Sequence, residues 1–386
     1  MRIAHIDTEK GWRGGEQQVV SLCEALAALG HENVVVLRKN SALQERLKDK
    51  GTSFIFSQSW GEWDILSANN VRSKLRKKNV EIVHAHTAHG VALAAAATLG
   101  TTIPIVATRR LDFHLCKNTF SRWKYGRVQK IIAVSNCIQK ILIEDGIPQE
   151  KISMIPDGVD FRRFDSIIPV SKRELGFPED SILIGQVAAL VPHKDPTTFV
   201  RAIAELHKNQ PMVRAVILGE GELRSVIESE VKYLGLENVV RLLGFRRDVL
   251  NHLAGFDLFC LSSVEEGLGS SILDAMALRV PVVATNAGGI PEMIKHEVTG
   301  YLAESGNPHS LSLALERALT ERTKNHYIIE NAFRKCREFD ISRTASDVEQ
   351  IYELLVGTFA ASKGPKGILN MTPDADSARK RTNANF

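Results

Sequence analysis

Leu261 to Glu292, LSSVEEGLGSSILDAMALRVPVVATNAGGIPE, holds two units of strand, glycine turn and helix start, one directly after the other. Leu258 to Leu261 reads as a buried strand. The turn after it carries Gly267 and Gly269, followed by Ser270 and Ser271, and Ser271 with Asp274 has the spacing of a capping box. In the second unit Pro281 to Ala284 is the strand, Gly288 and Gly289 make the turn, and Pro291 takes the first helical position. Helix starts leave backbone N–H groups unpaired, so phosphates bind there, and glycines let them approach closely. Glu266 and Asp274 flank this seat. An ionised carboxylate only accepts hydrogen bonds, which suits the hydroxyl pairs of a sugar or ribose. Together these features fit a nucleotide-sugar; singly, Asp274 also fits a plain helix cap and Glu266 a solvated turn residue.

On either side of this stretch, strand and helix patterns alternate from Arg2 onward, the rhythm of parallel sheets covered on both faces. Ligands of such sheets lie beyond the carboxyl ends of the strands, where Gly14, Gly15, His86, Arg109 and Arg110 fall. The pattern pauses at IPDGVDFRRFD and restarts at Ile182, which sets a boundary near Phe164. Lys194, in VPHKDP, follows a strand and can neutralise a diphosphate, although surface lysines are common. Gly219 and Gly221 form only part of a dinucleotide fingerprint, since Arg224 replaces the third glycine and no acidic residue ends the next strand. Phe245 and Arg246 can pack on a flat base, with a plain core role for Phe245 as the other reading. Asp248 is expected to cap the next helix. His84, His86 and His89 raise a metal site, but no Cys, Asp or Glu nearby in sequence completes a shell, so no metal is expected.

With these residues in place, the chain resembles a retaining family-four glycosyltransferase of the GT-B fold from Arg2 to about Phe359. The carriers of the resemblance are EGLGSSILDA (Glu266 to Asp274 and beyond), PVVATNAGGIPEMI, IPDGVD, the GEG loop, and GGE at Gly14 to Glu16. It implies two Rossmann-like, doubly wound parallel-sheet α/β domains facing a central cleft: 1–164 for the acceptor and 165–343 for the nucleotide-sugar. A helix over 344–362 would pack back toward the first domain; 363–386, which lacks any helical or strand period, is expected to be a disordered tail. Lys194 resembles the diphosphate-binding lysine, Glu266 the carboxylate that reads the donor sugar, and Asp274 the one that holds the ribose. Gly15 and Glu16 resemble the loop that closes over the reaction centre. The sequence departs from the family pattern at Asp274, one methylene shorter than glutamate; at Ala189, where an arginine usually assists the lysine; and at Arg110, where a histidine is common. Arg109 or Arg110 is expected to compensate for the missing arginine.

The implied reaction is sugar transfer with retention from a nucleotide-diphosphate-sugar co-substrate to a glycan, lipid-linked or small-molecule acceptor, with no bound cofactor or metal. A 2-epimerase of the same fold and an inactive nucleotide-sugar-binding protein are the alternatives. Five scattered cysteines, no Cys-x-x-Cys pair and no apolar leader point to a cytoplasmic setting. Val91 to Leu99, the most apolar stretch, is far below the ~20 residues of a membrane span. The net charge of +4 hides a basic first half. Lys117, Arg122, Lys124, Arg127 and Lys130 surround Phe120, Trp123 and Tyr125, either as a peripheral contact for an anionic membrane surface or as a solvated helix whose aromatics face the core. Basic residues and aromatics are not interleaved as single-stranded nucleic-acid grooves require, so nucleic acid is not an expected partner.

Overall fold

The computed structural model describes residues 1–57 and 64–361, except the side chains of 322, 323, 360 and 361. The expected tail lies outside the described residues. Seven strands form the first sheet: β1 (Arg2–Ile6), β2 (Glu32–Leu37), β3 (Ser53–Phe56), β4 (Ile82–Ala85), β5 (Ile105–Arg109), β6 (Lys130–Ala133) and β7 (Ile152–Met154), in the order β3-β2-β1-β4-β5-β6-β7. Six form the second: β8 (Ile182–Val187), β9 (Val213–Leu218), β10 (Val240–Gly244), β11 (Leu258–Leu261), β12 (Val282–Thr285) and β13 (Tyr301–Ala303), in the order β10-β9-β8-β11-β12-β13. Every pairing is parallel, so both sheets are Rossmann-like. β13 is short and had no separate sequence signal.

The helices of the first half are α1 (Gly14–Ala28), α2 (Ala42–Leu47), α3 (Ile65–Lys77), α4 (Ala88–Ala97), α5 (Thr119–Gly126) and α6 (Asn136–Glu144). Those of the second are α7 (Pro196–Asn209), α8 (Arg224–Tyr233), α9 (Val249–Ala254), α10 (Ser270–Ala277), α11 (Ile290–Met293), α12 (Pro308–Thr320), α13 (Arg322–Arg337) and α14 (Ile341–Ala361). Side chains alternate across a strand with period two. Ile3, Ile82, Val106 and Ile132 therefore pack with Leu22 and Leu26 of α1 and with Val348 and Tyr352 of α14, while Ala4, Ile6, Val83 and Ala107 face the opposite core.

α14 thus belongs to the second half in sequence and covers the first sheet in space. Its entry is fixed where Val159 donates to the Phe339 carbonyl at 2.7 Å and Ile341 donates to the Val159 carbonyl at 3.0 Å. Gly158 allows this crossing, because a Cβ there would lie 2.6 Å from the Cα of Ile341. Among the described residues no helix is long and apolar enough to cross a membrane.

Two sequence expectations change. Gly269, at φ 93°, is the N-cap of α10, so Ser271 and Asp274 form no capping box; Asp274 sits in the fifth helical position. No side chain caps this start, and the Ile272 N–H donates to the Gly269 carbonyl at 2.9 Å. On α5, Lys124 is buried and donates to the Ala88 carbonyl at 3.4 Å, so it leaves the basic face. Tyr125 is buried beside it, while Trp123 stacks on Phe120 with ring centroids 5.5 Å apart and stays exposed.

Candidate active site at the carboxyl ends of both sheets

Four loops meet at the carboxyl ends of β8, β9, β11 and β12. Val264 donates to the His193 carbonyl at 2.9 Å, and Ser262 Oγ bonds to the Asp195 carbonyl at 2.8 Å, which ties the Lys194 loop to the strand before the glycine turn. Gly219 (φ +145°) and Gly221 lie so close to that loop that a Cβ would fall 1.9 Å from the Ala188 carbonyl oxygen and 2.2 Å from the Leu190 carbonyl oxygen. Gly288 (φ +50°) approaches Glu266 in the same way, with 1.9 Å to its carbonyl oxygen, and Gly289 N–H donates to that oxygen at 2.8 Å. The two glycine units of the sequence are therefore one structure, joined through the backbone of Glu266.

The Glu266 carboxylate is buried, accepts from Ser263 Oγ at 3.1 Å, and forms an ion pair with Lys194 Nζ. Asp274 lies in the next turn of the chain. Its Oδ1 accepts from Arg163 Nη1 at 3.0 Å, and both side chains are largely buried. Burial raises the Asp274 pKa, and the Arg163 guanidinium opposes that rise. Arg163 was not singled out in the sequence. Pro291 is the second residue of α11, one position later than expected.

Phe245 is 48% exposed, so it is a surface ring rather than core; Arg246 beside it pairs with Asp248 at 3.3 Å. Asp248 precedes α9 but its side chain makes no cap. Ser270 and Ser271 open α10 and are half-buried.

The first half closes directly on these loops. A Cβ on Gly267 would lie 1.9 Å from the Arg110 carbonyl oxygen, and one on Gly14 would lie 2.6 Å from Ser270 Oγ. Phe113 meets His193 edge to face at 5.5 Å. Gly14 and Gly15 begin α1, and Glu16 accepts from the Arg13 N–H at 2.6 Å, the reach-back half of a capping box. Glu16 is buried, and burial together with the nearby Asp7 carboxyl pushes its pKa up to about 7.

Arg110, expected to compensate for the missing arginine, is paired through one nitrogen, and its Nη1 is buried with no partner among the described residues. Its Nε donates to both oxygens of Asp157 at 2.9 and 3.0 Å. Arg109 donates to the Phe113 carbonyl. His86 is buried at the end of β4, whereas His89 is exposed on α4. The third imidazole near His84 and His86 is His5, with one nitrogen of each within 4.8 Å of the others. Sequence distance hid His5, although strand periodicity on β1 carried its direction.

The description Glycosyltransferase Family 4 matches residues 12–163, and Glycosyl transferases group 1 matches 168–335. An Escherichia coli UDP-Gal:alpha-D-GlcNAc-diphosphoundecaprenol alpha-1,3-galactosyltransferase is 27% identical, covering 75% of this chain and 79% of that protein. The N-acetyl-alpha-D-glucosaminyl L-malate synthase of Bacillus anthracis is 28% identical over the same shares, 75% and 79%. A crystal structure of Anabaena Alr3699/HepE with UDP and glucose has a TM-score of 0.80 at 22% identity, covering 92% of this chain and 100% of that one. With both halves matched in order around one crevice, the chain belongs to the glycosyltransferases of family-four type, of the GT-B fold.

Proposed function

We propose that the protein is a retaining, metal-independent glycosyltransferase that moves a sugar from a UDP-sugar to a glycan or lipid-linked acceptor in polysaccharide or cell-envelope assembly. The observation that carries this reading is the convergence of Lys194, Glu266 and the 219–221, 267–269 and 288–289 backbone loops at one crevice. In it, residues 165–343 hold the donor and residues 1–164 the acceptor. Lys194 leaves Glu266 for the diphosphate and stabilises the charge that grows as the glycosidic bond breaks. Glu266, relieved of Lys194, accepts from donor-sugar hydroxyls, and Asp274 from the ribose hydroxyls. The N–H groups at the start of α10 take a phosphate oxygen, and Phe245 with Arg246 flanks the base. The diphosphate receives the acceptor proton on the face it leaves, so the configuration is retained. UDP and the lipid-linked acceptor are suggested by the Escherichia coli and Anabaena relatives.

A cytoplasmic enzyme working peripherally on an anionic membrane face fits exposed Lys117, Arg122 and Trp123 on and beside α5, next to a cavity of about 580 Å³ between α5 and the end of α6. Incubation with UDP-glucose, UDP-galactose and UDP-N-acetylglucosamine in excess chelator, followed by proton NMR of the anomeric signal, tests the proposal. Release of an α-configured sugar or glycoside is expected. A β-configured product defeats retention, loss of activity in chelator defeats metal independence, an isomerised sugar indicates the epimerase, and UDP binding without turnover indicates an inactive binding protein.

A further inference from the structure

The alternation that turns Ile3 and Ile82 toward α1 and α14 turns His5 and His84 the same way, and His86 follows two residues on. The three rings touch, with centroids 5.3 Å apart for His5 and His86 and 4.1 Å for His84 and His86. All three are buried. Their proton positions follow from one fixed point, because the Cys23 carbonyl can only accept. Asn33 Nδ2, 2.8 Å from that oxygen, is therefore the donor end of its amide, and Asn33 Oδ1 faces His5.

Oδ1 accepts from His5 Nε2–H at 3.0 Å. A neutral imidazole carries a single N–H, so His5 Nδ1 holds a lone pair, and it accepts from His86 Nε2–H at 3.0 Å. His86 Nδ1 is then left as a lone pair. It is shut from solvent and meets no partner among the described residues. Burial keeps the rings neutral: it pushes His5 down to about 4 and holds His84 and His86 well below 6.5, with the neighbouring imidazoles and Arg110 adding to the effect on the latter two. His84 stands outside the chain of donors, bonded to Tyr352 Oη at 2.6 Å and Thr108 Oγ1 at 2.7 Å.

An unsatisfied buried acceptor is costly, and proteins retain few of them. This one lies at the carboxyl end of β4, beside Arg110, whose Cδ is 4.0 Å from where a Gly15 Cβ would be. We infer that His86 Nδ1 accepts a hydrogen bond from an acceptor hydroxyl beside the attacking one, whose own proton goes to the diphosphate, and so orients the acceptor, and that His5 and Asn33 are positioning residues that fix the His86 tautomer. The inference rests on the glycosyltransfer reading above. It also restricts the acceptor: a nitrogen that can only accept selects a hydroxyl at this point and disfavours a carboxylate or phosphate.

The test begins with the unaltered protein labelled with ¹⁵N-histidine, where long-range ¹H–¹⁵N correlation reads each tautomer and loss of a signal in His86→Asn assigns His86. A bare Nδ1 and a protonated Nε2 on His86 are expected, and His5→Gln should mix the two tautomers. With water as the acceptor, one O–H goes to the diphosphate and the other is free to donate to His86, so His86→Asn and His5→Gln should slow UDP release from UDP-glucose about tenfold, the size of one neutral hydrogen bond, while UDP affinity by calorimetry changes less than about twofold. Protonated Nδ1 on His86 overturns the relay, and so does stoichiometric zinc binding that consumes the lone pair. Unchanged hydrolysis in His86→Asn overturns the contact with the hydroxyl. The tautomer spectrum needs no substrate, so failure of the relay is distinct from failure of the donor reading, which would show as a wild-type protein that neither binds UDP nor releases it.

Discussion

The two sides of the crevice are built from different materials. On the side of the second sheet, proposed to hold the donor, the backbone does the positioning: Gly219, Gly267 and Gly288 stand where a Cβ would fall 1.9 Å from a carbonyl oxygen. On the side of the first half, proposed to hold the acceptor, side chains do it: His86 and the Arg110–Asp157 pair are held by hydrogen bonds between residues far apart in the chain, and Glu16 by the N–H of Arg13. Backbone contacts have nothing to titrate and fail through steric changes at single positions, and the charges set among them are paired, Lys194 with Glu266 and Arg163 with Asp274. A site of buried ionisable groups carries its stability and its hydrogen-bonding state as functions of pH. The first prediction takes the Lys194–Glu266 pair. Lys194→Ala should lower turnover about 10²–10³-fold, as removing one donor to developing charge does elsewhere, with a smaller effect on donor affinity. Single-turnover rates at saturating donor decide it. An unchanged rate would make Lys194 only the structural partner of Glu266.

The acceptor side should show its nature in a pH titration of stability. The Glu16 pKa is raised to about 7 in the folded protein from an ordinary 4.5, so the folded state holds a proton that the unfolded state has released. Its contribution is complete below about 4.5 and is lost as pH rises to about 7, at most roughly 3 kcal/mol. Glu16→Gln should remove that fall, so the stability of the variant relative to wild type rises across the window and then levels. The imidazoles act in the opposite sense. His5, His84 and His86 are neutral when folded, so their stability is present above 6.5 and drains away as pH falls below it, toward about 4 for His5 and well below 6.5 for the other two. Urea unfolding from pH 4.5 to 8 separates the two. A flat difference between Glu16→Gln and wild type would show that Asp7 holds the proton instead.

This difference in material also explains what was legible in the sequence. Glycine turns after apolar runs are local signals, so the fold, both sheets and the glycine loops could be read from residues a few positions apart. The acceptor network could not, because His5, Asn33 and His86 come from three segments and only the order β2-β1-β4 makes them neighbours. The same distance hid the true third imidazole: nearness in sequence grouped His89 with His84 and His86, but it turns outward at the start of α4. The capping box at Ser271 failed on a dihedral angle, since Gly269 supplies the helix entry by its left-handed backbone. Arg163, 111 positions from Asp274, carried no signal at all.

That pair makes the third prediction, smaller than the first two because it is shared between fold and ligand. Asp274→Ala leaves the Arg163 guanidinium partly buried without its carboxylate and should cost about 2 kcal/mol, divided between stability and donor affinity. Asp274→Asn tests the division, since an amide still accepts from Arg163 and from a ribose hydroxyl but lacks the charge. UDP calorimetry and urea unfolding on both variants give the split. If only stability falls, Asp274 serves as the anchor of Arg163, and the ribose is held elsewhere.

The smallest effect should come from the charges that bridge the two halves. Arg247 forms a two-pronged ion pair with Glu45 at 2.9 and 3.2 Å, but the side chains are 70% and 61% exposed. Water and salt screen such a pair, so Arg247→Ala should change stability by about 0–1 kcal/mol and nothing measurable in high salt. Glu292 crosses between the halves in a different way. Its carboxylate accepts from the N–H groups of Asn136 and Cys137 at 3.0 and 3.1 Å and from Asn136 Nδ2 at 2.8 Å, meeting the unpaired start of α6. A carboxylate on free helix N–H groups keeps its value where an exposed ion pair does not, typically about 1 kcal/mol. Glu292→Ala should therefore exceed Arg247→Ala in unfolding free energy and should loosen the approach of the halves, seen as a larger radius of gyration in solution scattering. The reverse ranking at high salt would mean that closure rests on the exposed charges and that the contact at α6 is incidental.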